Sequence, residues 1–532
     1  MNTELQMSAG FSAIRQIGIL LPCAGAGFLM LAIINGSPVL MAGALIILAC
    51  LALMLRWPET GTLVVLFAIY SNVGVLAMRS PTAVQAAAGS ASQNPRIAVV
   101  LGGLSLLLCV PLLHQIFACK RKLIFDRGFV LMLVFLVASL ASCTFARDSR
   151  IVLSEITDYL LEGLVLYFLL SNLIRDFATL RRVMWALLLA ASFMAGLSVL
   201  QTVTHTEKNI YGGLAQTESD YHPNSRMVKV VDRSMITNQV SDNGEVRGQL
   251  RAAGPIGETN RYGQVLVVLL PLAILQVGTA RSRRLRIFAV VVAAVILCGV
   301  LLTFSRGNLL AAIASLGLMA YCGLLRPRQV FGAVLGMSLL IGVFQPAVVS
   351  RMLTLGRLTS LFSGTHDSAQ APDSSAVRRY VENVSAWRVF LDHPFLGVGP
   401  GHFAAYYSND YGNRLGLVEQ THYYRGHNLY LETLAETGAV GFTCFVSILG
   451  VTMRGLWKER SRLMYSHPEL AHVATAFFVS LSAYAVSAIF AHLSYPRYFW
   501  LLLAVSSAAI RVIHSESQEY EIDERLLCPN EA

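Results

Sequence analysis

The sequence predicts an all-α protein, a polytopic integral membrane helical bundle with two polar loop regions on one face, the second of them partly helical. Of the 532 residues, 55% are hydrophobic and only 14% are charged. The mean hydropathy is +0.58, whereas about a quarter of the residues of a soluble globular chain carry charge. Long apolar runs recur along the chain. Together these observations exclude a soluble globular protein.

The apolar runs set the number of expected helices. A helix needs roughly 20 apolar residues to cross a hydrocarbon core of about 30 Å, because each residue rises about 1.5 Å. We expect about 14 transmembrane helices, with about 12 possible because the helix pairs at 17–55 and 285–325 could be re-entrant. The expected spans are 17–34, 38–55, 61–78, 97–118, 128–146, 152–174, 183–203, 260–279, 285–304, 308–325, 329–348, 429–453, 470–491 and 495–513.

Positive charges test this plan independently, since cytoplasmic loops are enriched in Lys and Arg. One orientation places every basic cluster inside, with both termini cytoplasmic and the polar stretches 204–258 and 350–428 outside. Acidic and basic residues balance in these two outer stretches. The formal net charge of +10 therefore indicates topology and not nucleic-acid binding. The basic clusters are Lys120-Arg121-Lys122 with Arg127, Arg175 with Arg181-Arg182, Arg281-Arg283-Arg284-Arg286, Arg326 with Arg328, and Arg454-Lys458-Arg460-Arg462.

The expected organisation follows from the spans and loops. It comprises N-terminal transmembrane helices at 1–203, a first outer loop at 204–258, transmembrane helices at 259–349, a large outer loop at 350–428, C-terminal transmembrane helices at 429–513 and a cytoplasmic tail at 514–532. All cysteines except Cys528 lie within or at the ends of apolar spans, and no CxxC pair occurs. We expect neither disulfides nor a metal site.

Residues suited to chemistry gather in the outer stretches. Seven of the 12 histidines lie there, and 350–428 carries seven arginines and no lysine. Guanidinium groups bind phosphate or carboxylate through two hydrogen bonds, so this composition is compatible with an anionic ligand at the membrane surface. The alternative is compositional bias, because the whole chain has only five lysines.

Residues 376–391 have the spacing of an amphipathic helix. Its expected apolar face consists of Val377, Tyr380 and Val381, Val384, Trp387 and Leu391, and Arg388, seven residues after Val381, falls on the same face. An arginine in such a position either extends to the lipid headgroups or points into a closed polar site. The sequence leaves both alternatives open.

His427-Asn428 directly precedes an apolar run, so His427 is expected at the outer end of the next helix. It is either a catalytic group or a terminal histidine that caps the helix or pairs with Glu432. Glu432 and Glu436 follow roughly 7 and 13 Å further along the axis. Their carboxylates are either stabilised by the helix dipole or functional. Gly438 and Gly441 predict the close approach of another helix.

Further charged residues are expected on the same side of the membrane. Glu155, Asp158 and Glu162 share one helix face, where they form a proton or cation path or, as we favour, pair with arginines. Arg306 lies in a corner between two spans, and Arg251 and Arg261 flank the end of the first outer loop. Several arginines and a histidine therefore converge from separate parts of the chain.

These motifs resemble those of the O-antigen ligase family, which shares its membrane domain with O-antigen and exopolysaccharide polymerases. The resemblance rests on His427-Asn428 followed after nine residues by Gly438-x-x-Gly441, and on three further segments within about 250–450. These are Phe304-Ser305-Arg306-Gly307, Trp387-Arg388 with His393-Pro394-Phe395-Leu396-Gly397-Val398-Gly399, and, as a weaker match, Glu258-Thr259-Asn260-Arg261.

The resemblance implies a metal-independent, inverting glycosyltransferase, without a cofactor, at the periplasmic face of the bacterial inner membrane. Its donor is a glycan on undecaprenyl diphosphate, and its acceptor is a sugar hydroxyl of lipid A–core. The implied catalytic residue is His427, as the general base or as a group that orients the acceptor. The implied diphosphate-binding residues are Arg306, Arg388, Arg251 and Arg261, and the supporting residues are Asn428, Glu432, Glu436 and Asn260.

Three alternatives remain at this stage. An O-antigen or exopolysaccharide polymerase would have the same site but a lipid-linked glycan as the acceptor. A protein O-oligosaccharyltransferase would instead have a protein as the acceptor. A lipid-linked-glycan flippase predicts charges along a path through the membrane. The charges here gather mainly at the outer helix ends, which favours an enzyme that acts at the surface.

Overall fold

The computed structural model describes residues 56–74, 104–206, 209–219, 250–326, 328–332, 374–407, 426–491 and 496–527, together with Met54 and Leu335. The α-helices in chain order are α1 (Pro58–Tyr70), α2 (Cys109–Phe117), α3 (Arg127–Ser142), α4 (Ser149–Asp158), α5 (Leu166–Leu173), α6 (Phe177–Val203), α7 (Thr259–Val267), α8 (Leu270–Thr279), α9 (Arg283–Leu302), α10 (Arg306–Tyr321), α11 (Ser374–Asp392), α12 (Phe403–Tyr406), α13 (Leu429–Leu463), α14 (Pro468–Ser487) and α15 (Pro496–Leu527). A π-helix (Tyr159–Val165) joins α4 to α5, and the strands β1 (Gln216–Ser219) and β2 (Leu250–Gly254) form an antiparallel pair.

The predicted helical membrane fold is confirmed. Within the described ranges, seven helices are long and apolar enough to cross a membrane. Spans 17–34 and most of 38–55 and 329–348 lie outside the described residues, so the expected total stays a prediction. The seven helices are Arg127–Phe145, Phe177–Val203, Thr259–Thr279, Arg283–Leu302, Leu429–Leu463, Pro468–Phe490 and Arg497–Ile522.

The long helices differ in how far other helices enclose them. In the most apolar stretch of Arg497–Ile522, 78% of the residues are buried, against 33% for Arg127–Phe145. The first therefore lies at the centre of the bundle and the second at its edge. The outward face of the edge helix is apolar, as contact with lipid requires. Its exposed side chains are Val130, Leu133, Val134, Val137 and Leu140.

The helices reverse direction from one span to the next, so their turns collect at two ends of the bundle. The His427 end contains the starts of α4, α7, α10, α13 and α15, and Leu429 N–H donates there to the Ala491 carbonyl at 2.9 Å. The Arg462 end contains the starts of α3, α6, α9 and α14. There Arg511 lies 2.7 Å from Asp126.

A buried ion pair joins three segments of the core. Arg497 Nη1 lies 3.1 Å from Glu162 Oε1, and the two side chains are 3% and 7% exposed. Arg497 Nη2 also donates to Asn72 Oδ1 at 2.9 Å. The predicted pairing with arginine is thus confirmed for Glu162. The pair explains how the Glu162 carboxylate can be held inside the bundle, since an unpaired buried charge costs several kcal/mol.

Candidate active site

His427 directly precedes α13 and contacts a carboxylate from α11. Its Nδ1 lies 2.7 Å from Oε2 of Glu382, and its backbone N–H donates to the same oxygen at 3.3 Å. The Glu382 side chain is 0% exposed and that of His427 is 14% exposed. Burial of a carboxylate is unfavourable unless hydrogen bonds compensate it. The pair therefore fixes the imidazole from the protein side while part of the ring stays accessible.

A small apolar cluster, separate from the main core, lies beside Glu382. It forms where α11 packs against the first turns of α13 and against α12. Next to this cluster, the backbone N–H and the imidazole of His427 contact the buried carboxylate. The cluster consists of Val381, Ala386, Val389, Val398, Phe403, Tyr406, Tyr407 and Ala435.

The buried face of α11 differs from the predicted one. Val381, Ala386 and Val389 are buried, whereas Trp387 and Arg388 are exposed. The prediction that Arg388 lies on the buried apolar face is therefore wrong, because its side chain is exposed. The physical reason is that the small Ala386 side chain lets α11 approach α13, which turns the large Trp387 and the adjacent guanidinium outward.

Helix α13 is broken near its start, and an irregular segment that follows α11 fills the break. Gly438 has φ 64° and ψ −170°, outside the helical region. The carbonyls and N–H groups freed by the break bond to the backbone of residues 394–399, which satisfies polar groups that lipid could not. The four bonds run from Val398 N to Ala435 O (3.1 Å), Gly399 N to Glu436 O (2.9 Å), Ala439 N to Pro394 O (2.8 Å) and Val440 N to Phe395 O (3.3 Å).

Glycines make this insertion sterically possible. A Cβ at Gly438 would lie 2.3 Å from the Phe395 backbone, and a Cβ at Gly397, which has φ +70°, would lie 2.4 Å from the Glu436 backbone. The close approach expected at Gly438 therefore exists, but an irregular segment makes it and not a helix. The motif at 393–399 and the motif that contains Gly438 are therefore connected by hydrogen bonds between their backbones.

Asn428 has a structural role at the start of α13. Its Oδ1 accepts hydrogen bonds from the N–H groups of Tyr430 and Leu431 at 3.1 and 3.2 Å. An Asn in this position stabilises a helix by about 1 kcal/mol relative to Ala. It also fixes the direction in which the chain enters the helix, and so the position of the preceding residue, His427.

Glu432 and Glu436 lie one turn apart on α13 and line a cavity of about 90 Å³. Glu155 and Asp158 of α4 face the same cavity, and Tyr159 and Trp500 contribute aromatic walls. Glu436 Oε1 also accepts from the Phe403 N–H at 3.2 Å. The cavity thus combines carboxylate acceptors with aromatic surface. In the described part of the chain, no three His, Cys, Asp or Glu side chains are placed to hold a metal ion.

Arg306 begins α10 after a sharp corner. Phe304 has φ +50°, a left-handed conformation that costs about 1–3 kcal/mol in a bulky residue and is enriched at functional sites. Gly307 packs so closely on Phe490 that an added Cβ would lie 2.9 Å from it. The corner therefore fixes Arg306 against the end of α14.

Arg251 and Asn260 join this corner from the preceding segment. Arg251 Nε donates to the Thr303 carbonyl at 2.8 Å, and its Nη2 lies 3.4 Å from Asn260 Oδ1. Asn308 Nδ2 donates to the Asn260 carbonyl at 2.6 Å. Arg261 is held differently, because its Nε lies 2.7 Å from Glu258 Oε2 and its side chain is 4% exposed.

The arginine corner and the His427 segment meet at one place, the end of α14. Gly307 contacts Phe490, and the next residue, Ala491, accepts the N–H of Leu429. The structure therefore brings Arg306, Arg251 and Asn260 to the same region as His427. Arg388 has an exposed side chain on α11, six residues beyond Glu382 and so about 120° around the helix.

Glu382 is the site residue that the sequence reasoning missed. It lies between Val381 and Ser385, on what the structure shows to be the buried face. A charged residue within an otherwise apolar or small-residue stripe is a signal of a paired or functional group. The incorrectly assigned helix face concealed that signal.

Comparison with known families adds the decisive observation, because residues 291–446 match the family model described as O-antigen ligase. This match, over about a third of the chain, supports its assignment to the O-antigen ligase and polymerase family. The matched range contains Arg306, Glu382, His427 and the break at Gly438, whereas Arg251 and Asn260 precede it. Members of this family are membrane glycosyltransferase-type enzymes. No curated protein matches the chain.

Proposed function

We propose that this O-antigen ligase family protein moves a glycan from undecaprenyl diphosphate to a sugar hydroxyl of lipid A–core. The observation that carries the proposal is the meeting of His427 and the Arg306 corner at the end of α14, within the family-matched range. A base and fixed cations at one place are what transfer from a glycosyl diphosphate needs.

The proposed reaction is a single displacement that inverts the anomeric carbon. His427 takes the proton of the acceptor hydroxyl while its oxygen attacks that carbon. The bond from the anomeric carbon to the phosphate oxygen breaks, and the diphosphate leaves with the electron pair. Imidazole is suited to this role near neutral pH.

Negative charge develops on the leaving diphosphate, so donors that are already in place lower the barrier most. Arg306 and Arg251 are held against helix ends and supply such donors without a metal ion. Arg261 and Arg388 are secondary in this proposal. Arg261 already pairs with Glu258, and Arg388 has an exposed side chain.

Some supporting residues act on the donor side of the site and others on the acceptor side. Asn260 orients Arg251 through its side-chain oxygen, and Asn428 holds the helix start next to the base. In this proposal Glu432 and Glu436 accept hydrogen bonds from acceptor hydroxyls in the cavity that they line. Carboxylates beside aromatic walls suit a sugar, which has both hydroxyl groups and apolar ring faces.

The proposed location is the bacterial inner membrane, with the His427 end in the periplasm. Support comes from the basic residues, which gather at the Arg462 end as expected of cytoplasmic loops. Reporter fusions after residues 230 and 400 test the orientation. A cytoplasmic signal from either position would contradict a periplasmic site.

Deletion of the gene, followed by glycan profiling, tests the function and the acceptor. A ligase leaves lipid A–core without O-antigen while full-length lipid-linked polymer accumulates. Single repeat units on the core indicate an O-antigen polymerase instead, and loss of exopolysaccharide with intact lipopolysaccharide indicates an exopolysaccharide polymerase. Unchanged glycans of every class would refute the glycosyltransferase proposal.

A further inference from the structure

Glu382 has the position of a residue that acts through His427. It comes from α11, 45 residues earlier in the chain, and its Oε2 contacts both the backbone N–H and the Nδ1 of His427. The carboxylate is fully buried within the α11–α13 apolar cluster. It therefore cannot reach bulk water or a substrate in solution, but it can fix the imidazole.

The contact determines which ring nitrogen of a neutral His427 carries the proton. A carboxylate only accepts hydrogen bonds, so a neutral imidazole at 2.7 Å places its proton on Nδ1. The lone pair then resides on Nε2, the nitrogen on the other side of the ring. When Nε2 takes a proton, the buried negative charge also stabilises the resulting imidazolium.

We propose that Glu382 is a positioning residue that holds His427 as the Nδ1–H tautomer and leaves Nε2 as the base. This inference rests on the proposed glycosyl transfer for its kinetic consequence, but the tautomer itself is a property of the resting protein. Glu382 keeps its negative charge throughout. The proton of the acceptor hydroxyl moves to Nε2 only.

A purely structural role for Glu382 makes different predictions. If the carboxylate only stabilised the packing of α11 on α13, its replacement would lower abundance or thermal stability, with or without His427. A positioning residue instead lowers turnover at unchanged abundance, and only when His427 is present. A double-mutant cycle separates these two cases.

The first measurement is spectroscopic and needs no activity. Protein labelled with ¹⁵N at histidine is placed in lipid nanodiscs, and the His427 signals are identified from their absence in His427→Ala. At a pH where the ring is neutral, we expect Nδ1 to carry the proton in the wild type and a mixed or reversed tautomer in Glu382→Gln. A wild-type ring protonated at Nε2 would overturn the proposal.

The second measurement is kinetic, with purified protein, a lipid-linked glycan donor and the acceptor that glycan profiling identifies. We expect Glu382→Gln to lower kcat at least about 10-fold with little change in KM, because the wrong tautomer impairs the base and not substrate binding. Glu382→Asp should recover part of kcat. Glu382→Gln added to His427→Ala should cause no further loss.

Glu459→Gln is the matched control, since it removes a carboxylate from another histidine, His514, at the Arg462 end. Its kcat should equal that of the wild type. If the wild type transfers glycan and Glu382→Gln retains full kcat, the Glu382 proposal fails and the proposed function stands. If the wild type shows the Nδ1–H tautomer without any transfer, the proposed function fails and the orienting role of Glu382 stands.

Discussion

Among the described residues, two glutamates form ion pairs with a histidine, one at each end of the bundle. At the His427 end, Nδ1 lies 2.7 Å from Glu382. At the Arg462 end, His514 Nδ1 lies 3.2 Å from Glu459 Oε1. The two pairs have the same chemical groups, so their differences show what an active site adds to a simple ion pair.

Burial and neighbouring cations are the main differences. The Glu459 carboxylate also receives two bonds from Arg462, at 2.7 and 3.0 Å, and the His514 side chain is 48% exposed. The Glu459 charge is therefore shared with an arginine, and solvent reaches the histidine rather than the carboxylate, whose side chain is 8% exposed. Glu382 is fully buried, and one of its carboxylate oxygens contacts both the backbone N–H and the ring of His427. At this end the carboxylate therefore holds the backbone and the imidazole of the same histidine.

Exchange of each histidine for alanine is the strongest test of this difference. His427→Ala should lower glycan transfer by about 10²- to 10⁴-fold, the usual contribution of a general base. His514→Ala should leave transfer within a factor of about two, because its partner already has Arg462. Both rates are measured on purified protein at equal abundance. Full transfer by His427→Ala would remove this residue from the mechanism.

Arginines at the two ends should also differ in their effect on glycan transfer. Arg306→Ala should lower kcat by about 10²- to 10³-fold, as loss of one fixed donor to a developing anion does. Arg306→Lys should recover only part of this, because an ammonium keeps the charge without the planar pair of donors. Arg286→Ala, at the Arg462 end, is the control with unchanged kcat. Equal losses in Arg306→Ala and Arg286→Ala would indicate a general effect of charge on the membrane protein.

The backbone near His427 is also special, because α13 is broken at the His427 end and continuous toward the Arg462 end. Gly438→Ala should destabilise the protein by about 2–4 kcal/mol, since it combines a strained conformation with a backbone collision. Gly450→Ala, on the same helix, is the matched control, because its added Cβ meets nothing within 4 Å. Thermal unfolding in detergent and membrane abundance measure both variants. A stable Gly438→Ala protein would show that residues 394–399 do not need the break.

The sequence predicts some features of the His427 region better than others. The start of α13, the arginine corner and the close approach at Gly438 follow from patterns within single segments, such as a cap before an apolar run. Glu382 could not be predicted in this way. Its partner is 45 residues away, and its helix face depends on which side chains are small enough to pack on α13.

The same limit explains the error at Arg388. Its spacing from Val381 matches a helical stripe, and spacing alone does not decide which of two overlapping stripes is buried. Packing decides this, because Ala386 fits against α13 and Trp387 does not. Pairs between distant segments, which determine the electrostatics of the site, therefore become visible only in the folded structure.

The smallest expected effect concerns Arg462, which makes the Glu459 pair an ordinary ion-pair network. Arg462→Ala should lower the free energy of unfolding by only about 1 kcal/mol, because the Arg462 side chain is 31% exposed and the Glu459 carboxylate, although 8% exposed, keeps its contact with His514. The loss should shrink further at high ionic strength, and glycan transfer should not change. Thermal unfolding at low and high salt measures it. A loss of several kcal/mol, or a loss of glycan transfer, would mean that the Glu459 carboxylate depends strongly on Arg462. The Glu459 pair would then no longer be an ordinary ion-pair network, and the proposed difference between the two His–Glu pairs would fail.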